Sequence, residues 1–307
     1  MCHVPENQHK TKPLTSEEEE QCLGILTEAC PGSALALHAT RKRKRGTEVE
    51  PPVNSEDDFV TKLIGRTCGQ LHVHDQAFTD QFYIDVVMLT VEESVRLCRE
   101  TMSQCSERWR HARSLRITAS ECYGLYTATA NWEAKFQRAG KFSGCGATRF
   151  GTAHEPVARS MFAAETGYRV HQCGLVVPPM MPWLACSPDG VVDTGRSLNL
   201  LEIKCPALCE SVDLLTNVRA KKLPYLQLEG ENLALKKKHK YYGQVQLSMT
   251  LLDLDACYFV VFDKAANAIH VLLVDRDDRF CGELVRKLGS VYFDHFLPYL
   301  KRNSRPS

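Results

Sequence analysis

The chain has 307 residues, 44% of them hydrophobic, and 38 Lys and Arg against 37 Asp and Glu, for a formal net charge of +1. That length gives one large domain or two small ones, with apolar side chains enough for a core. The charge balance excludes a histone-like polycation and an acidic tail protein but leaves room for a local basic groove.

No apolar run approaches the roughly 18 residues a membrane helix needs, and the opening MCHVPENQHK lacks the apolar stretch of a secretory signal. The chain is therefore expected to be neither secreted nor membrane-bound, and to stay in a reducing compartment. The 14 cysteines include no C-x-x-C pair. They are read as scattered buried thiols rather than as a zinc site or a disulfide framework.

Residues 1–57 are rich in Pro, Ser, Thr and Glu and carry 7 Lys or Arg against 10 Asp or Glu. Such a composition cannot bury enough apolar surface to offset chain entropy, so a disordered tail is expected. Within it lies Arg41-Lys-Arg-Lys-Arg45, five consecutive cations. In a eukaryote this run is expected to act as a nuclear import signal, and otherwise the chain is expected in the cytoplasm; the plain alternative is a solvated linker.

Residues 58–108 are expected to form a helical extension. Thr90-Val-Glu-Glu93 has the form of a capping box, opening a helix expected to run to about Arg110. Pro156 suits a first helical turn, which predicts a helix from Glu155 that stops at Gly167. Tyr168–Val177 is expected to be extended. Trp183–Cys186 and Gly190–Asp193 flank a Ser-Pro-Asp-Gly turn, and Leu198–Lys204 has the pattern of a buried strand. Leu226–Leu228 can pair with Leu233–Leu235 around Gly230. Tyr241–Leu252 is predicted helical, Ala256–Asp263 and Ile269–Val274 form a hairpin, and Phe280–Leu300 is a last helix. Strands flanked by helices, with some hairpins, make a mixed sheet in an α/β layer arrangement.

Two positions on the Leu198–Lys204 strand stand out. Glu202 and Lys204 are two apart, so their side chains leave the same face of a strand whose Leu198, Leu200, Leu201 and Ile203 are apolar. A buried carboxylate and ammonium are costly unless paired or metal-bound. Asp189, in the preceding turn, can reach the same sheet end, and Glu155 can add a third carboxylate. Asp189, Glu202 and the Ile203 carbonyl would form an oxygen site for a hard divalent cation such as Mg²⁺, with Mn²⁺ as substitute. Lys204 could then orient or help deprotonate an attacking water. The plain alternative is an ordinary ion pair at a strand end beside an Asx turn.

Five blocks surround this pattern in order: Arg113-Ser-Leu-Arg-Ile-Thr-Ala-Ser120, Phe150-Gly-Thr-Ala-His-Glu155, Ala185-Cys-Ser-Pro-Asp-Gly190, Leu201-Glu-Ile-Lys-Cys-Pro206 and Gly243-Gln-Val-Gln-Leu-Ser-Met249. Over residues 109–302 the chain resembles the YqaJ-like viral recombinases, the PD-(D/E)xK nuclease family that includes the lambda-phage exonuclease. The resemblance implies a restriction-endonuclease-like α/β core and metal-dependent hydrolysis of DNA, exonucleolytic from a 5′-phosphorylated duplex end. An endonuclease or nickase, and a silent DNA-binding module, are the alternatives on the same core. The family further implies metal ligation by Asp189, Glu202 and Ile203, support of a second metal by Glu155, and action of Lys204 and Gln244 on the nucleophilic water. It implies phosphate contacts from Arg113, Ser120 and Ser187, and a possible homo-oligomer.

Other readings of the same residues remain open. Arg116 rivals Arg113, Ser120 can cap a helix, and Gln244 can face solvent. His154 is expected to be structural, and His239 can lie near substrate. Lys238 belongs to the basic run Lys236–Lys240, read either as a DNA phosphate contact or as a solvated edge, and Tyr241 and Tyr242 as base-stacking or core residues.

Overall fold

The computed structural model describes residues 59–68, 79–139 and 146–304, apart from the side chains of residues 138, 139 and 146–148. The expected disordered tail and its basic run at Arg41–Arg45 lie outside these residues. The described residues all fall in one unit, Asn54–Ser307.

The chain begins with α1 (Phe59–Thr67) and, after a short π-helical turn at Tyr83–Val87, enters α2 (Val91–Glu100). Thr90 accepts from the Glu93 amide at 3.1 Å, and Glu93 accepts from the Thr90 amide at 2.8 Å, so the capping box is formed. The helix does not reach Arg110. Gln104 turns left-handed (φ 51°), and Ser106 caps a new helix, α3 (Glu107–Ser114), by accepting from the Trp109 amide at 3.1 Å. This second N-cap, six residues past the end of α2, divides the expected helix in two.

Next come β1 (Ile117–Thr118), α4 (Ala119–Tyr126), α5 (Trp132–Ala139) and α6 (Gly146–Thr166). Helix α6 starts before Glu155 and carries Pro156 in its interior. An interior proline costs about 3 kcal/mol relative to alanine. Burial of Ala158 and Phe162 against the sheet offsets that cost. The helix ends as expected at Gly167, whose φ is +69°.

The main sheet has five strands in the order β2-β4-β5-β8-β9: β2 (Arg169–His171), β4 (Gly190–Asp193), β5 (Leu198–Lys204), β8 (Ala256–Asp263) and β9 (Ala268–Asp275). Only the β5–β8 pair is parallel. The crossover between them contains α7 (Leu214–Arg219), the hairpin β6 (Leu226–Glu229) and β7 (Asn232–Leu235), and α8 (Lys240–Leu252). The short β3 (Leu184–Ala185) pairs with β1. Beyond β2 the expected extended run is irregular apart from a bridge of Val176 with Cys186. The expected final helix is three pieces, α9 (Asp278–Val291), a π-helical turn at Tyr292–Phe296 and α10 (Leu297–Asn303), with Pro298 in the first turn of the last.

Strand alternation assigns the two faces. Val192, Leu201, Ile203, Val260 and Phe262 pack with Ala158 and Phe162 of α6. Val191, Leu200, Cys257, Phe259 and Val261 join the larger core with Val245, Leu247 and Met249 of α8, and with Val60, Leu63 and Val95 from α1 and α2. Gly243 permits the close crossing of α8 with α4, since a Cβ there would stand 2.8 Å from the Tyr123 ring. Gln246, fully buried on α8, donates to the Asp275 carbonyl and accepts from the Asp277 amide, both at 2.8 Å. It thereby ties the helix to the end of β9. Replacing it by leucine leaves two backbone groups unpaired, each worth about 1–3 kcal/mol. Gln246→Leu is expected to lower stability by roughly 2–4 kcal/mol, read as a lower urea midpoint at unchanged slope.

Candidate active site

The C-terminal end of β5 runs past the start of β4. Gly190 pairs with Leu201 in antiparallel register, so one step further Asp189 stands opposite Glu202. Gly190 is required at this point because a Cβ would meet Val170 at 2.8 Å and Leu201 at 3.3 Å. Asp189 Oδ2 accepts from the Ile203 amide at 2.6 Å. In an antiparallel strand a residue's N–H and C=O leave by the same edge, so the Ile203 carbonyl also faces the Asp189 side.

Glu202 and Lys204 share the sheet face covered by α8, and Glu202 is fully buried. Its Oε1 accepts from the Lys204 ammonium and from the Gln244 amide. Gln244 is thus turned inward rather than to solvent. The Lys204 ammonium also lies 4.7 Å above the Tyr241 ring. Glu155, from α6 on the other face, completes the group and pairs with Arg159.

Burial, with the repulsion of Asp189, pushes the carboxyls of Glu155 and Glu202 each up to about 7. Asp189 is raised as well, by burial, against the pull of Lys204. Burial opposes the charge on Lys204, but Glu202 and Asp189 more than offset it and hold the lysine above its ordinary range. Three carboxylates against the Lys204 ammonium and the Arg159 guanidinium leave a negative surplus. Among the described residues no three His, Cys, Asp or Glu side chains stand in a ready-made ligand cage. The Asp189 and Glu202 bonds nevertheless use only Oδ2 and Oε1. A second carboxylate oxygen on each, the neighbouring Ile203 carbonyl and the surplus charge fit a hard divalent cation.

A second polar group adjoins the first. Arg113, on α3, donates to Ser120 at 3.1 Å and to Thr118 at 3.4 Å, and its guanidinium lies 4.3 Å over the Trp109 ring. The Trp109 indole donates to Ser187 at 2.9 Å. Arg113, Ser120 and Ser187 are therefore joined through one tryptophan, two residues from Asp189. Ser120 lies inside α4, whose cap residue is Thr118. Arg116 goes elsewhere: it is buried and donates to the carbonyls of Pro182, Ala112 and Val87 at 2.7–2.8 Å. Lys238 is exposed in the turn before α8 and makes no hydrogen bond or ion pair with the cluster among the described residues. His239 caps α8 through the Tyr241 amide at 3.2 Å. His154 stacks on Phe150 at 4.1 Å, and its Nδ1 lies 2.9 Å from the Phe150 carbonyl.

Sequence reasoning passed over Gln104, Trp109 and Arg159. Gln104 donates to the carbonyls of Cys173 and Pro188 at 3.0 and 2.9 Å, anchoring the Asp189 turn. Arg159 had a signal, the i,i+4 spacing from Glu155 on a helix. Gln104 had none, because both its partners are distant backbone groups.

Residues 108–254 match the YqaJ-like viral recombinase domain. The alkaline exonuclease of Laribacter hongkongensis, a solved structure, is 27% identical with a TM-score of 0.50, over 65% of this chain and 98% of that one. A phage-related exonuclease from Haemophilus somnus 129PT is 15% identical with a TM-score of 0.43, over 61% of this chain and 96% of its own. The shutoff and exonuclease protein of Kaposi's sarcoma-associated herpesvirus is 13% identical with a TM-score of 0.44, over 92% of each chain. No curated protein sequence matches the chain. The matched residues contain every member of the acidic cluster, and the fold is restriction-endonuclease-like.

The two arginines separate by experiment. Arg116→Met strands three backbone carbonyls and is expected to lower stability by about 3 kcal/mol. Arg113→Met, whose partners are the exposed Ser120 hydroxyl and, at 3.4 Å, the Thr118 hydroxyl that Glu121 also accepts from, is expected to cost about 1 kcal/mol. Parallel urea titrations measure both.

Proposed function

We propose that the protein is a metal-dependent deoxyribonuclease that degrades duplex DNA exonucleolytically from 5′-phosphorylated ends. The observation that carries this reading is the convergence of Asp189, Glu202, Glu155, Lys204 and Gln244 at one strand end. The 27% identity to an alkaline exonuclease supports it. Asp189, Glu202 and the Ile203 carbonyl would hold Mg²⁺ or Mn²⁺, with Glu155 supporting a second ion, and the cation would supply an acidified water and neutralise phosphoryl charge.

The chain's own residues do the rest. Lys204, fixed between Glu202 and Tyr241, presents an ammonium that orients the water and stabilises negative charge on the scissile phosphate. Gln244 holds Glu202 from α8 and leaves its amide oxygen for the same water. Arg113 and Ser120 form a fork and a hydroxyl suited to a terminal phosphate, and Ser187, braced by Trp109, faces the same region.

End-labelled duplex DNA with Mg²⁺ or Mn²⁺ tests the proposal. Nucleotide release is expected from linear DNA and not from covalently closed circles. Lys204→Ala is expected to slow it by about 10²–10⁴-fold, and Arg113→Ala to lower the preference for 5′-phosphate over 5′-hydroxyl by about tenfold or more. Cutting of closed circles would replace the exonuclease with an endonuclease. DNA that is shifted but intact under every metal condition would replace it with a binding module.

A further inference from the structure

Arg159 lies one helical turn after Glu155 on α6, and its side chain is only 15% exposed. Its guanidinium reaches acceptors on three separate segments. One terminal nitrogen donates to Glu155 on its own helix, Nε donates to the Asp189 carbonyl at 3.0 Å, and the other terminal nitrogen donates to Gln172, just beyond β2, at 3.4 Å. The donor directions of a guanidinium are fixed in one plane. Three simultaneous bonds therefore fix the mutual placement of the acceptors. The Asp189 carboxylate is meanwhile held from the other direction by the Ile203 amide. A single side chain thus ties the carboxylate brought by α6 to the backbone that carries the carboxylate facing β5. It also adds a second cation to a group of three carboxylates otherwise faced by Lys204 alone.

We propose that Arg159 is a positioning residue for the nuclease site. It holds Glu155 in register with Asp189 and Glu202 and acts through those groups, without contacting DNA itself. Lysine cannot replace it, because a point-charge ammonium cannot meet three acceptors in one plane. The proposal rests on the nuclease reading, and the experiment separates the two.

Steady-state cleavage of end-labelled duplex is measured for wild type, Arg159→Met, Arg159→Lys, Glu155→Gln and the Arg159→Met/Glu155→Gln pair, and Mg²⁺ binding to each is measured by calorimetry without DNA. Arg159→Met is expected to lower kcat at least about tenfold with KM within about twofold, and to weaken Mg²⁺ binding about 10–100-fold, the usual cost of losing a partner behind a metal ligand. Arg159→Lys is expected to recover only part of either loss. The double variant is expected to be within about twofold of Glu155→Gln alone, since both changes break one unit. A raised KM at unchanged kcat makes Arg159 a DNA-binding cation and overturns the proposal, as do multiplicative effects or wild-type behaviour. If Arg159→Met does not fold, Arg159→Lys decides by the same criteria. A wild-type protein that binds Mg²⁺ without cutting DNA refutes the nuclease reading alone, and the Mg²⁺ affinities of the variants still decide the role of Arg159. One that does neither overturns both.

Discussion

Three carboxylates forced together at the end of one strand are the constraint around which this molecule is built. Glu202 is fully buried and repelled by both Asp189 and Glu155, Glu155 is repelled by Asp189, and burial raises all three. Uncompensated, such a group would cost several kcal/mol per charge. The neighbouring donors reflect that cost: the Lys204 ammonium and Gln244 amide on Glu202, the Ile203 amide on Asp189, and the Arg159 guanidinium on Glu155.

Precision at this point comes from the packing of both sheet faces. Helix α6 delivers Glu155 and Arg159 from one side because Ala158 and Phe162 lock it onto Leu201, Ile203 and Val260. Helix α8 delivers Gln244 and Tyr241 from the other, because Val245, Leu247 and Met249 seat it in the main core and Gly243 lets it approach α4. The parallel step from β5 to β8 makes this possible, since its long crossover is what returns α8 over the face that Glu202 and Lys204 share.

The phosphate-binding candidates are joined to this centre by covalently short but spatially indirect wiring. Trp109 carries Arg113 on its ring and holds Ser187 through its indole, and Ser187 is two residues from Asp189. The residues proposed to take a DNA end and the Asp189 turn are thus braced by one rigid aromatic side chain, which has few rotatable bonds through which register could be lost.

The alternation of Leu198–Lys204 determined a buried strand with Glu202 and Lys204 on one face, and the order of the five blocks pointed to the family before any coordinates. Local signals also sufficed for the capping box at Thr90 and the hairpin of β8 with β9. They failed where tertiary packing overrode them: Pro156 inside α6, the break after α2, and the π-helical turn in the last helix. Arg113 and Arg116 were equivalent as letters. Only the fold turned one toward Ser120 and sealed the other among carbonyls, because burial depends on which distant segments, Pro182 and Val87, come to surround a side chain. The same holds for Arg159 and Gln104. Both partners of Gln104, and the Asp189 carbonyl that Arg159 holds, are backbone atoms of distant segments, which carry no residue identity in a sequence, so these contacts existed only once the chain had closed on itself.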